Sequence, residues 1–430
     1  MNWKHRHIIG ICLLLCGLSG FIACTDESPE FPREEEGAPI SLTFQADVAG
    51  ASTRAGEEPV EDDRVETLRI VIVSKATEGG TGSNPADAEW KVEHNKPITS
   101  VGPQRPLEYT FQVAANSLKR VYLIANESGL KGINGQSLDF SDRQFIPAEG
   151  TGRAPVDDYV FDVSKQAYNP SALPMTALYE INVPPLKEIE NGGFAWPNPL
   201  YLVRAATKFS FEFTNRSTRK AVTVTGIDID RVITDRMYLM PHVNKITSEG
   251  EHKGKYWVFD DTKTETDDPK SYIADWVEWM GQEATASETG NDHQWLTDYE
   301  VPDNATPRTA TVPFTSAEIP AATDAELSPS VKVPDAIYLP ESKTVKDEND
   351  PSLKDLQLQE YSITVHTKEQ ATDGTEEKEK TYSPQTLPHL ASLFRNTHVM
   401  VGIVFTDHDI ACEVDVIPYS EVILDPEFGL

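Results

Sequence analysis

Cysteine is almost missing from the body of the chain. Four occur in 430 residues, and three of them, Cys12, Cys16 and Cys24, stand close to the N-terminus. Cys12 and Cys16 fall in a segment read below as an export signal, and Cys24 closes it. Cys412 is then left alone, so no intrachain disulfide is expected. In "DIACEVDV" it reads as a small strand residue rather than a nucleophile. Basic residues are also scarce, with 38 Lys plus Arg against 69 Asp plus Glu, a formal charge of −31. A surface of that sign repels nucleic acid and anionic headgroups, and no basic patch offsets it, so no nucleic-acid partner is expected. Catalytic spacings are missing too. The ten His residues are scattered, without an H-E-x-x-H pattern. There is no G-x-S-x-G elbow and no phosphate-binding GK[ST] loop. In "TDHDIAC", His408 and Cys412 would share a strand face about 13 Å apart at ~3.3 Å per residue, too far for a Cys–His pair. "DDTKTETDDP" (Asp260–Pro269) lacks the central Gly and closing Glu of a calcium loop and reads as a solvated turn. No catalytic residue, metal ligand or cofactor is therefore assigned, and no enzyme is expected.

Long hydrophobic runs are limited to Ile8–Ala23, shorter than the ~20 residues of a membrane-spanning helix. Lys4 and Arg6 precede it, as in an export signal. The run ends in "GFIAC", a small residue before Cys24, which resembles a lipobox with Phe21 where Leu is usual. Lipoprotein-processing enzymes would then lipidate the Cys24 thiol, and the lipid would be the chain's one contact with a membrane. The polar "TDESPEFPREEE" that follows suits a tether.

Strand patterns fill most of the remainder, divided by 30 Pro and 25 Gly. Ile40, Leu42, Phe44, Ala46 and Val48 alternate with polar residues, as on a half-buried strand. "RVETLRIVIVS" presents Leu68, Ile70 and Ile72 on one face, and "PLEYTFQV" (Pro106–Val113) alternates in the same way. "KRVYLIANES" (Lys119–Ser128) is continuously apolar, as for a central strand. "LYLVRAATKFSFEFTN" (Leu200–Asn215) and "KAVTVTGIDIDRVI" (Lys220–Ile233) read as consecutive antiparallel strands. "YSITVHT", "HVMVGIVFT" and "CEVDVIP" complete the set. The fold class expected is all-β, with antiparallel sandwiches.

The Gly- and Asn-rich "EIENGGFAWPNP" (Glu188–Pro199) marks an expected domain boundary. It gives a signal at 1–23, a tether and first strand at 24–54, one sandwich at 55–195 and a second at 196–430. The second is expected to carry an acidic insertion at about 244–332, which holds four of the seven Trp residues. "SYIADWVEWM" within it has helical periodicity. Trp276 and Trp279 there could stack on a sugar, as in a tip adhesin or a surface glycan-binding lipoprotein. Anchoring the insertion to the sandwich is the reading that such aromatics favour.

The first strand has a special place. Burying its apolar side chains would stabilise a sandwich by about 5–10 kcal/mol. Losing it would leave a groove beside an unpaired edge, which another extended segment could fill by strand addition. The small, acidic "AGASTRAGEEPVEDD" (Ala49–Asp63) that follows suits an exposed loop open to proteolysis. Within it, the bond between Arg54 and Ala55 is a site for an arginine-specific protease.

"STRAGEEPVEDDRVETLRIVIV", "VYLIANES", "LPMTA", "LYLVRAATKFSFEF", "AIYLPES" and "RNTHVMVGIVF", in this order behind Cys24, resemble the type V fimbrillin family of pilus subunits. The resemblance implies two transthyretin-like β-sandwich domains and export as an outer-membrane lipoprotein. It implies removal of the first strand by a surface protease, with the cut between Arg54 and Ala55. It also implies polymerisation with other fimbrial subunits into a surface fimbrium, through a donor strand drawn from the C-terminal segment. Here that segment is about Glu413–Leu430, with Val414, Val416, Val422 and Leu424 as donor side chains. The long second domain departs from a shaft subunit and suits a tip or accessory subunit.

Overall fold

Alternating apolar residues form the strands, and strands account for nearly all the regular structure. A computed structural model of the chain describes residues 39–48, 64–76, 89–101, 106–128, 130–149, 153–163, 173–197, 199–241, 301–302, 307–312, 315–323, 328–333, 337–343, 361–374, 377–387, 390, 392–393 and 395–418. Cys24, Arg54, Ala55, Trp276, Trp279, Val422 and Leu424 lie outside these residues.

The first part of the chain contributes β1 (Pro39–Val48), β2 (Leu68–Ala76), β3 (Lys91–Ile98), β4 (Leu107–Ala114), β5 (Ser117–Ala125), β6 (Val160–Asp162), β7 (Met175–Val183), β8 (Gly193–Ala195) and β9 (Leu200–Arg204). One sheet takes the order β3-β2-β5-β7-β9-β1-β4, with β8 also beside β1. Its inner face packs Ile40, Leu42, Phe44, Leu68, Ile70, Leu123, Met175, Tyr179 and Leu202 into one core. β2 is buried on both faces, beyond the single face expected. Val71 and Val73 pack with Tyr122, Ile124, Phe145 and Val156 in a further cluster. The excursion between β5 and β7 supplies Phe145 and Val156, which is why β2 and β5 read as continuous apolar runs.

The later part contributes β10 (Thr207–Asn215), β11 (Lys220–Ile233), β12 (Arg236–Tyr238), β13 (Pro307–Val312), β14 (Ala317–Ile319), β15 (Val331–Lys332), β16 (Ile337–Leu339), β17 (Ser342–Lys343), β18 (Ser362–Ala371), β19 (Lys378–Thr386), β20 (Ser392–Leu393), β21 (Thr397–Phe405) and β22 (Ile410–Pro418). Two larger sheets result, β15-β10-β21-β22 with β16 beside β10, and β13-β11-β18-β19 with β14 beside β11, while β17 pairs with β20 and β12 with β6. Phe209, Phe211, Phe213, Val399 and Val401 of the one meet Val222, Ile227, Ile229, Ile363 and Val365 of the other in a second core. That is the sandwich arrangement, two apolar faces closed on each other.

Several expectations need correction. "LYLVRAATKFSFEFTN" is two strands: β9 joins the first sheet, and β10 joins the later one. Ala205 and Ala206 make the crossing between them. The change of core therefore falls between Ala206 and Phe209. The expected boundary at Glu188–Pro199 is not one, because its residues Gly193–Ala195 form β8 and pair with β1 in the first sheet. Nor are β10 and β11 hairpin partners. They belong to different sheets and face the same core, and side-chain bonds of Asn215 and Ser217 shape the link between them. Pro307–Lys332, expected in the insertion, supplies β13, β14 and β15 to the two sheets. Its strands are too short to show much alternation. Finally, β1–β8, β1–β9 and β10–β21 run parallel. Long connections between these strands permit what a tight hairpin cannot.

Candidate functional site

The first strand is seated where its sequence pattern requires. Ile40, Leu42, Phe44, Ala46 and Val48 are each no more than 1% exposed. Ser41, Thr43, Gln45 and Asp47 face outward, half-buried. On one side β1 is antiparallel to β4, from Pro39 opposite Ala114 to Ala46 opposite Leu107. On the other it runs parallel to β8 and then to β9. The Phe44 ring stacks on Phe111 at 5.9 Å between centroids and tilts towards Tyr109 at 6.3 Å. Across the outer face Thr43 and Thr110 share a hydroxyl hydrogen bond of 2.9 Å, and Gln112 Nε2 donates to Ser41 Oγ at 2.7 Å. Trp196 N donates to the Thr43 carbonyl at 2.8 Å.

These partners are all remote in sequence. β2, the next strand along the chain, lies four places from β1 in the sheet order. Among the described residues β4 and β8 have no ladder partner besides β1. One strand thus holds two others in the sheet, and any extended segment with the same alternation and direction would meet the same groups.

The chain resumes at Arg64 after the 49–63 segment that carries Arg54, and it is gripped at once. Asn126, at φ +57°, accepts the Glu66 and Thr67 amides on Oδ1 at 2.8 and 3.4 Å. Its Nδ2 donates to the carbonyls of Arg64 and Leu173 at 2.9 and 2.8 Å. Asn tolerates this left-handed backbone better than most residues. A cut within 49–63 therefore leaves the start of β2 fastened to "VYLIANES" and "LPMTA". Asn126→Ala is expected to destabilise the protein by about 2–4 kcal/mol, because buried amides and carbonyls lose their partners. Denaturant titration of the purified chain checks this.

The proposed donor residues are not brought to this groove. Val414 sits half-buried against the second core, and it pairs with Val401 across the β21–β22 ladder. Val416 is opposite Val399 in the same ladder. Among the described residues β22 is an edge strand, laddered to β21. Cys412 is half-buried beside them, and burial, with Asp409 nearby, pushes its thiol up to about 11. A thiol so shifted is a poor nucleophile at neutral pH. His408 lies in the bend between β21 and β22, where Thr406 and Asp409 exchange backbone and hydroxyl bonds.

Sequence reasoning missed a buried polar junction between the two cores. Arg395, fully buried, grips Glu341 with Nε at 3.0 Å and Nη2 at 3.2 Å. Its remaining N–H groups reach the carbonyls of Leu239 and Tyr238 at 3.0 and 2.8 Å. Thr176 of β7 donates to the same Leu239 carbonyl at 2.9 Å. Asn396 accepts Arg204 Nη1 at 3.0 Å and donates its backbone N–H to Ala206 O. The available signal was a pair of opposite charges inside apolar motifs, "AIYLPES" and "RNTHV".

No protein-family model and no curated protein matches the chain. Solved structures do. A candidate cell adhesion protein from Parabacteroides distasonis ATCC 8503 aligns over 90% of this chain and 99% of its own, at 12% identity and a TM-score of 0.46. The tip fimbrial protein Mfa3 from Porphyromonas gingivalis, with a C-terminal truncation, aligns over 89% and 100%, at 10% identity and 0.39. A fimbrial protein from Bacteroides vulgatus ATCC 8482 aligns over 88% and 99%, at 8% identity and 0.40. The solved structures to which this all-β chain is similar are those of fimbrial and cell adhesion proteins.

Proposed function

We propose that the chain is a structural subunit of a surface fimbria that supports adhesion. In this reading it is exported as a lipoprotein through Cys24 and cut between Arg54 and Ala55 by an arginine-specific protease. It then polymerises when a strand from another subunit takes the place of β1. The observation that carries the proposal is the seating of β1: fully inside the sheet, yet laddered to residues remote in sequence and followed by the segment that holds Arg54. A strand without a hairpin partner can leave without dragging its neighbour along the chain. Its departure would strip β4 and β8 of their ladder and expose the faces of Phe111 and Leu202. A second copy's extended segment fits the vacancy by backbone pairing, with alternate side chains setting the register.

The donor is drawn from the C-terminal segment. Val414 and Val416 lie on a strand already laddered to β21. They must peel from that edge before they can donate, whereas Val422 and Leu424 follow the end of β22. An edge strand is the least costly kind to release, since one ladder is lost rather than two.

Protein extracted from assembled fibres is expected to begin at Ala55, and unassembled membrane protein at Cys24. N-terminal sequencing distinguishes them. Fibre protein that still carried Ile40–Val48 would overturn the strand-replacement reading.

A further inference from the structure

β4 has two edges, and they are treated differently. The inner edge is laddered to β1. Along the outer edge no strand is paired among the described residues. Side chains from β3 stand there instead. His94 Nε2 donates to the Gln112 carbonyl at 2.6 Å. Glu93 Oε1 accepts the Ala114 backbone N–H at 3.1 Å. Gln112 and Ala114 are two positions apart, so both turn their backbone groups the same way. The His94 ring also lies 5.0 Å from the Phe111 ring, which holds it over the strand. Glu93 is fixed from behind by Lys119, whose Nζ lies 2.9 Å from each carboxylate oxygen. Lys119 is fully buried. One donor and one acceptor are thus offered to β4 much as a neighbouring strand would offer them. An open edge with unpaired N–H and C=O groups is a template for another chain.

We propose that Glu93 and His94, backed by Lys119, seal the outer edge of β4, so that an extended segment of a second copy can pair with β4 only from the slot of β1. What the slot receives rests on the strand-replacement reading above; the seal itself operates in the uncut chain. It leaves β4 a single side open to a second copy's strand. Edge-to-edge stacking of sheets across β4 is thereby blocked.

The test uses the full chain carrying Arg54→Ala, in which β1 stays in place. His94→Ala in that background removes the donor and the ring above Phe111. Sedimentation velocity over a hundredfold concentration range is expected to show at least a tenfold higher associated fraction than the parent. Hydrogen exchange should show new protection at the Thr110 and Gln112 amides, which lie on the same edge as the Ala114 amide. His94→Gln, whose side-chain N–H can reach the same carbonyl, should behave as the parent. A folded His94→Ala chain that stays as monomeric as the parent overturns the proposal. If that variant does not fold, the parent decides, because a sealed edge requires slow exchange at the Ala114 amide and fast exchange there overturns it. Should the Arg54→Ala parent itself form fibres, the strand-replacement reading falls. The comparison of β4 protection with and without His94 would still decide the seal.

Discussion

Arg54→Ala is expected to give a chain that folds, reaches the surface, begins at Cys24 and forms no fibres. The reason is a competition for one slot. β1 brings four large apolar side chains into the core, which stabilises its seating by about 5–10 kcal/mol. While 49–63 is intact, a displaced β1 remains tethered, at an effective concentration of order mM. A donor from another subunit must beat that concentration as well as the contacts. Cutting after Arg54 separates the resident strand from its acceptor, so that once it leaves it no longer returns at that effective concentration. Gel analysis without boiling reads the outcome as absence of the detergent-resistant ladder expected of the parent. Normal ladders from Arg54→Ala would refute the cut site. Phe44→Ala adds an internal control. It should cost the uncut protein about 3–5 kcal/mol through loss of the packing on Phe111 and Tyr109. It should leave fibres formed after cleavage unchanged, because the residue has departed with its strand.

The seating of β1 was legible in the sequence because a half-buried strand imposes period two on its side chains. All five apolar positions from Ile40 to Val48 face the core. Its partners were not legible. Pairing with β4 and β8 is set by residues far along the chain, and period two does not say which edge a strand will meet. The Asn-Gly-Gly turn at Asn191–Gly193 marks a local reversal, which reads the same at a domain boundary as inside a sheet. There Asn191 and Gly192 take positive φ while Gly193 opens β8. The shift from β9 to β10 left only a subtle trace. β9 is buried at every position and β10 at alternate ones, so a continuous apolar run gives way to alternation near Ala205. Glu93 and His94 read as ordinary strand polars. Their work depends on Lys119 and Ala114, which only the closed sandwich brings alongside.

Arg395→Met is expected to destabilise the protein by about 3–5 kcal/mol, since it strands the Glu341 carboxylate in a dry site. Glu341 is 3% exposed and Arg395 fully buried, so water cannot replace the lost partner. The Tyr238 carbonyl also loses its 2.8 Å donor. The loss should fall on the link between the cores rather than on either core alone. Arg395 opens the turn into β21 of the later sandwich. The Leu239 carbonyl it grips is also bonded to Thr176 of β7, in the first sheet. β12, which ends at Tyr238, pairs with β6. Calorimetry should therefore show one transition for the parent and two for Arg395→Met, with the later sandwich melting first because it keeps the unpaired Glu341. Arg395→Met with Glu341→Leu should recover much of the stability, as replacing both members of a buried pair costs far less than removing one. It should not recover the single transition, because the bonds to Leu239 and Tyr238 stay broken. A loss under about 1 kcal/mol for Arg395→Met, the range of an exposed pair, would mean that the junction admits water and does not couple the two cores.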